Sequence, residues 1–140
     1  MLVETILAIA ITISGTAQDM TINVESKEEK TKCEYIEPYE NYTVLTPELG
    51  LVQGPWCIET YYNLNMEGVL EIMYSLDYYY DYWVREDGVK MFGDYVMVAA
   101  NLDIFPRGSI VETSLGQGIV CDTGEFIYDN PYQFDIAVDW

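Results

Sequence analysis

The stretch Y-V-M-V-A-A-N-L-D-I-F-P-R-G-S-I-V-E-T-S-L-G-Q-G-I-V-C-D-T-G-E-F-I-Y-D-N-P-Y-Q-F-D-I-A-V-D-W, Tyr95 to Trp140, decides the fold class. Apolar, β-branched runs are cut by Asn-Leu-Asp, Pro-Arg-Gly, Gly-Gln-Gly, Asp-Thr-Gly and Asp-Asn-Pro. Strands are therefore predicted at Tyr95–Ala100, Ser109–Thr113, Gly118–Cys121 and Phe134–Val138, with Gly116-Gln117-Gly118 as a turn. Short strands at this spacing mean an all-β barrel or sandwich. Carboxylates stand mostly at the ends of the runs. Period two puts Phe134, Ile136 and Val138 on a core face, and Asp135, Ala137 and Asp139 on the other. Likewise Ile119 and Cys121 share one face, and Gly118, Val120 and Asp122 the opposite one. Where these two strands meet, Asp122 and Asp135 approach each other at a strand end. A carboxyl beside a carboxylate and shielded from water has a raised pKa and can serve as a general acid. Acids at strand ends also cap turns, so that role stands as the alternative.

Upstream of this stretch, Trp56-Cys57-Ile58-Glu59-Thr60-Tyr61-Tyr62 is aromatic and β-branched, a predicted strand. Met66, Val69, Leu70, Met73 and Leu76 recur at helical spacing after Asn65, which predicts a short capped helix over Met66–Leu76. Asp77 to Trp83 reads D-Y-Y-Y-D-Y-W. Clustered rings beside acids make either a platform that stacks on sugar rings or a set of side chains packed on the core. Asp87-Gly88 and Gly93-Asp94 bracket another short strand. This places a folded domain at 55–140. Residues 18–54, with E-S-K-E-E-K-T-K at Glu25 to Lys32 and prolines at 38 and 47, read as a polar linker or N-terminal extension. Residues 1–17 hold the apolar run Ile6 to Ile13, followed by Ser14-Gly15-Thr16-Ala17. That is the pattern of a signal-peptide core with a cleavage site, and predicts a secreted or wall-associated protein without a stable membrane span after processing. The run lacks a basic flank, and a buried strand or short helix is the alternative.

Composition narrows the chemistry. The chain has 24 acidic residues, 6 basic residues and no histidine, for a net charge of −18. No basic cluster exists to neutralise phosphates, so nucleic acid is excluded as a partner. Without histidine the Ser–His and Cys–His nucleophiles and the common zinc sites are excluded as well, and no cofactor or metal is implied. Acid–base work falls to Asp, Glu, Tyr, Lys or a thiol. The three cysteines, Cys33, Cys57 and Cys121, allow one internal disulfide at most, with Cys57–Cys121 the favoured pair in an exported protein and three free thiols the alternative.

V-A-A-N-L-D-I-F-P-R-G-S, then C-D-T-G, then F-D-I-A-V resembles the three-aspartate (3D) domain of bacterial cell-wall enzymes and the corresponding barrel of the membrane-bound lytic transglycosylase A family. E-T-Y-Y at Glu59 to Tyr62 resembles the T-A-Y segment that opens such barrels. The likeness spans about residues 56 to 140 by order of motifs. It implies a six-stranded double-psi β-barrel with one short inserted helix, an extended N-terminal segment and a glycan groove. By position, the third family aspartate falls on Asp135, the expected catalytic acid, and the second on Asp122, a supporting carboxylate. The first falls on Asn101, which bears no charge. Asn101, Thr123, Thr60 and Tyr62 become the expected substrate-binding residues. The implied activity is a peptidoglycan lytic transglycosylase that cleaves the MurNAc–GlcNAc β-1,4 bond and leaves 1,6-anhydroMurNAc. The alternatives are a hydrolytic glycosidase on the same fold and a non-catalytic glycan-binding barrel.

Overall fold

The computed structural model describes residues 37–140. The signal-like run and Cys33 lie outside the described residues. In chain order the elements are β1 (Leu51–Gln53), β2 (Ile58–Tyr62), α1 (Glu67–Ser75), β3 (Tyr82–Val84), β4 (Lys90–Phe92), β5 (Tyr95–Ala99), β6 (Ile110–Thr113), β7 (Gly116–Asp122), a 3-10 turn (Glu125–Tyr128) and β8 (Phe134–Ala137).

Strand β5 is the axis of the sheet because its residues are apolar on both faces: Val96, Met97, Val98 and Ala99 are all buried. Along one edge it pairs in parallel with β7. Its other edge is divided, with β4 antiparallel to Tyr95–Val96 and β8 antiparallel to Val98–Ala99. Strand β8 in turn runs parallel to β2, which carries β1 on its far side, while β3 flanks β4 and β6 flanks β7. The result is an all-β architecture with a single short α-helix and an eight-stranded sheet. Two strands exceed the expected six, and the pairing among the described residues does not close into a barrel. The extra strands are β1 and β3. Leu51–Gln53 lies in the stretch assigned to the linker, yet it pairs with β2 and belongs to the same compact unit as the rest of the described residues. Strand β3 lies in the tyrosine-rich segment, and all three of its residues are exposed.

The helix forms where its spacing predicts. Met66, Val69 and Met73 are buried against Met97, Ile119, Cys121, Phe92 and Ala137, with Tyr62 and Leu70 packed beside them. Leu76, expected in the same stripe, is instead exposed. The reason is the helix end: Asp77 takes a left-handed φ of 70°, and the Asp77 and Tyr78 N–H groups bond back to Tyr74 and Met73 carbonyls. That is a Schellman closure with aspartate where glycine is usual, and Leu76 is the C-cap residue at the very end of the helix. At the other end the Asn65 side chain accepts the Glu67 N–H at 2.9 Å. Lys90, buried on β4, donates to Asn63 Oδ1 and the Leu64 carbonyl, which anchors the entry to the helix.

The turn between β6 and β7 is Ser114-Leu115, two residues earlier than the expected Gly116–Gly118. Gly118 is a strand residue, paired with Val96. A Cβ there would stand 2.6 Å from Val98 Cγ2, so glycine is what lets β5 and β7 lie close. The favoured disulfide is also absent. Cys57 and Cys121 are both free thiols. Cys121 is buried in the helix-side core with Sγ directed to the Val98 carbonyl, whereas Cys57 sits before β2 on the rim of a cleft.

Candidate functional site

Register brings the site together. Asp122 on β7 is the partner of Ala99 on β5, Ala99 is the partner of Asp135 on β8, and Asp135 is the partner of Thr60 on β2. These four residues form one row across four strands, with the two acids on either side of an alanine methyl. Two interstrand spacings of ~4.8 Å separate the acid backbones by about 10 Å, so two inward-leaning carboxylates feel each other across a small side chain.

A bulge makes this row possible. Val98 pairs with Val120, but Ala99 then pairs with Asp122, so Cys121 is the extra residue. In a regular ladder Cys121 would oppose Ala99, and Asp122 would face the other side of the sheet. With the bulge, Cys121 still packs in the helix-side core while Asp122 is re-aimed to the same side. The contact that proves the direction is from Tyr62, itself packed on that core, whose hydroxyl donates to Asp122 Oδ2 at 2.8 Å. Strict alternation along β7 put Cys121 and Asp122 on opposite faces, and the bulge corrects it.

The two carboxylates have different surroundings. Asp122 accepts from the Tyr62 hydroxyl and, through Oδ1, from the Thr123 N–H at 2.9 Å. Asp135 is half-buried and accepts from Thr60 Oγ1 at 2.8 Å. Burial pushes the Asp135 carboxyl above the ordinary aspartate range; the Thr60 bond acts downward, and the negative charge of Asp122 adds to the rise. Burial raises Tyr62 too, and the neighbouring Asp122 reinforces it, so the phenol stays a donor at any ordinary pH. Thr60 Oγ1 also accepts from Gln133 Nε2 at 2.7 Å, and Asn130 Nδ2 donates to Gln133 Oε1 at 3.2 Å.

Thr60 thus bonds Asp135 and Tyr62 bonds Asp122, two hydrogen-bonded pairs on the same face, and Thr123 joins the second through its backbone. Asn101 joins neither. Its Oδ1 accepts the Asp103 N–H at 3.0 Å and its carbonyl accepts from Ile104 and Phe105, so it folds its own turn. Asp103 is exposed and makes no bond to the row. Gln133 and Asn130 were not anticipated, although Gln133 lies two residues before Asp135 and period two alone puts it on the same face.

A cleft of about 130 Å³ lined by Cys57, Ile58, Asn130, Pro131, Tyr132 and Gln133 borders the row on the Gln133 side. Larger clefts lie elsewhere, one of about 350 Å³ beside the start of α1 and one of about 390 Å³ at Arg85–Asp87. Neither carboxylate lines any of the three; the smallest is the one that reaches the row, through Gln133, which bonds to Thr60. Among the described residues no group of three or more His, Cys, Asp or Glu side chains is placed to hold a metal ion. The tyrosine segment is partly core and partly surface: Tyr80 packs edge-on against Phe92, while Tyr79 is 72% exposed and stacks on Tyr74.

No family model matches the chain, and no curated protein or solved structure matches it.

Chemically, the row offers one carboxyl whose pKa burial raises and a second carboxyl group fixed by two donors. That is an acid with a stationary negative neighbour.

Proposed function

We propose that this protein is a glycan-cleaving enzyme of lytic-transglycosylase type, secreted or wall-associated, acting on peptidoglycan strands. The observation that carries the reading is the Thr60–Asp135–Ala99–Asp122 row, which sets the half-buried, raised Asp135 carboxyl one alanine away from a second carboxyl. The resemblance of V-A-A-N-L-D, C-D-T-G and F-D-I-A-V to three-aspartate cell-wall domains supplies the substrate class. In the same reading the sheet is an elaborated double-psi barrel. The parallel pairs β2–β8 and β5–β7 support it, with β1 and β3 as edge additions to six barrel strands.

The acid form of Asp135 gives its proton to the glycosidic oxygen as the bond from C1 of the muramoyl ring breaks. The resulting carboxylate takes the proton of the same sugar's 6-hydroxyl as O6 bonds to C1. Protons balance, and no water is consumed. One acid/base suffices because the nucleophile belongs to the substrate, unlike the two-carboxylate hydrolases. Burial holds the Asp135 pKa up, and Asp122 adds to the rise and contributes negative potential near the developing positive charge. Tyr62 and the Thr123 N–H keep Asp122 in place, and Thr60 fixes the Asp135 rotamer.

Digestion of purified peptidoglycan with wild type and Asp135→Asn tests this. Mass spectrometry is expected to find anhydro-muropeptides with the wild type and none with the variant. Products carrying an added water would mean hydrolysis with Asp122 as base, and unchanged release by the variant would remove Asp135 from the mechanism. One observation favours a binding-only barrel: Asn101 is committed to its own turn, so the row holds two carboxylates rather than three. Wall binding without any soluble product is the outcome of that reading.

A further inference from the structure

Gln133 is buried, 9% exposed, and sits immediately before β8. Its amide is held from both ends. Asn130 Nδ2 donates to Oε1 at 3.2 Å, and the Gln133 N–H donates to the Asn130 carbonyl at 3.1 Å. With Oε1 so occupied, Nε2 is directed to Thr60 Oγ1 at 2.7 Å. An amide nitrogen can only donate, and a threonine hydroxyl has one hydrogen. Having accepted from Gln133, Thr60 directs its own hydrogen to Asp135 Oδ1, 2.8 Å away. The polarity of the chain is therefore fixed from Asn130 to the acid. Oδ1 is an acceptor, and the acid form has one oxygen left for its proton.

We propose that Gln133 is the positioning residue of the acid: through Thr60 it keeps Asp135 Oδ1 an acceptor and so confines the deliverable proton to Oδ2. This deepens the reading of Asp135 as proton donor and rests on it. The groups facing Asp135 are few. Asp122 acts across Ala99 from β7, and Tyr62, on β2, is bound to Asp122. Asp122 opposes ionisation of Asp135, while the Thr60 hydrogen bond favours it. Gln133 governs how firmly Thr60 makes that bond. Without an Nε2 donor the Thr60 hydroxyl is free to rotate, the carboxylate loses part of its stabilisation, and the acid holds its proton to higher pH.

The test is a 13C NMR titration of the Asp135 carboxyl in the full chain, without substrate. Wild type is compared with Gln133→Met, Gln133→Glu and Thr60→Ser, each checked for a native amide spectrum. Gln133→Met is expected to move the midpoint up by about half to one pH unit, the share of one neutral hydrogen bond. Gln133→Glu keeps the shape and the Asn130 contact but can only accept, so Thr60 turns toward it and the midpoint rises further. Thr60→Ser retains the hydroxyl and is expected to keep the wild-type midpoint. A midpoint in Gln133→Glu equal to wild type overturns the proposal, whether or not Gln133→Met folds. A rise in Gln133→Glu matched by an equal rise in Thr60→Ser overturns it too, since the shift would then be general loosening. The proposed activity is judged separately. A midpoint that moves as expected in a protein that cleaves no peptidoglycan at any pH sinks the activity and leaves the relay standing; cleavage with an unmoved midpoint sinks the relay alone.

Discussion

Replacing Ser114 by alanine removes the most interior polar contact of the sheet. On the face opposite the candidate site, Glu59 is 0% exposed and lies between Val52 and Phe134 in register. Its carboxylate accepts the Ser114 hydroxyl at 2.6 Å and the Ser114 N–H at 2.9 Å. Ser114 Oγ also accepts the N–H of Leu45, which is itself buried. Ser114→Ala keeps the backbone donor but deletes a hydrogen bond to a charged group, worth ~1.5–3 kcal/mol, and orphans a buried N–H, worth ~1–3 kcal/mol. Partial relaxation leaves a net loss of about 3 kcal/mol, because the 37–50 segment is exposed for much of its length and can shift. For a unit of roughly 100 residues that is a fall in Tm of about 10–20 °C. Thermal denaturation followed by near-UV circular dichroism at pH 7 reads it. Burial pushes the Glu59 carboxyl up, against the two Ser114 bonds, so lowering the pH neutralises it and shrinks the cost of the substitution. A Tm within a few degrees of wild type at pH 7, or a cost that grows as pH falls, would refute this account of the buried carboxylate.

Asp135→Asn is expected to raise Tm at pH 7. The folded pKa is raised above its unfolded value, so ionisation at neutral pH is a penalty on the native state. That penalty is lost as pH falls through the folded value toward the unfolded one, so the gain must fade in melts near pH 4; a pH-independent gain would point to another cause. Asp77→Gly relieves a left-handed φ of 70° at the end of α1 and is expected to stabilise by ~1 kcal/mol in denaturant titrations. No gain would mean that the Tyr79 hydroxyl contact to Asp77 offsets the strain. With a net charge of −18 and one ion pair among the described residues, Arg85–Asp87, self-repulsion is only weakly compensated. Raising NaCl from ~10 mM to about 0.5 M is expected to raise Tm and strengthen adsorption to anionic walls, since the Debye length contracts severalfold. A flat response in both would show that the charges act at long range on neither.

Much of the fold was legible in local patterns. Tyr95–Ala99, Phe134–Ala137 and the Met66-led helix appear where apolar periodicity and breakers put them. The misses share a cause. Gly116–Gly118 reads as a turn by composition, but Gly118 serves the close approach of a strand that is distant in sequence. Leu51–Gln53 is too short to announce itself and becomes a strand only because β2 has a free edge beside it. Glu59 looks like one more surface acid among 24 until Ser114 is brought to it across 55 positions.

By itself the sequence determined the all-β class, the helix, the absence of any histidine-based chemistry, and the face of β8 that carries Asp135. Each of these follows from residue type or from short periods, which act over a few neighbours. The tertiary structure alone decided that Asp122 shares that face, because the bulge at Cys121 exists only as a relation between β7 and β5. It alone decided that Thr60, Gln133 and Asn130 stand in line behind the acid while Asn101 turns away to its own loop. Period along one strand cannot specify register against another. A carboxyl's protonation depends on what register puts beside it.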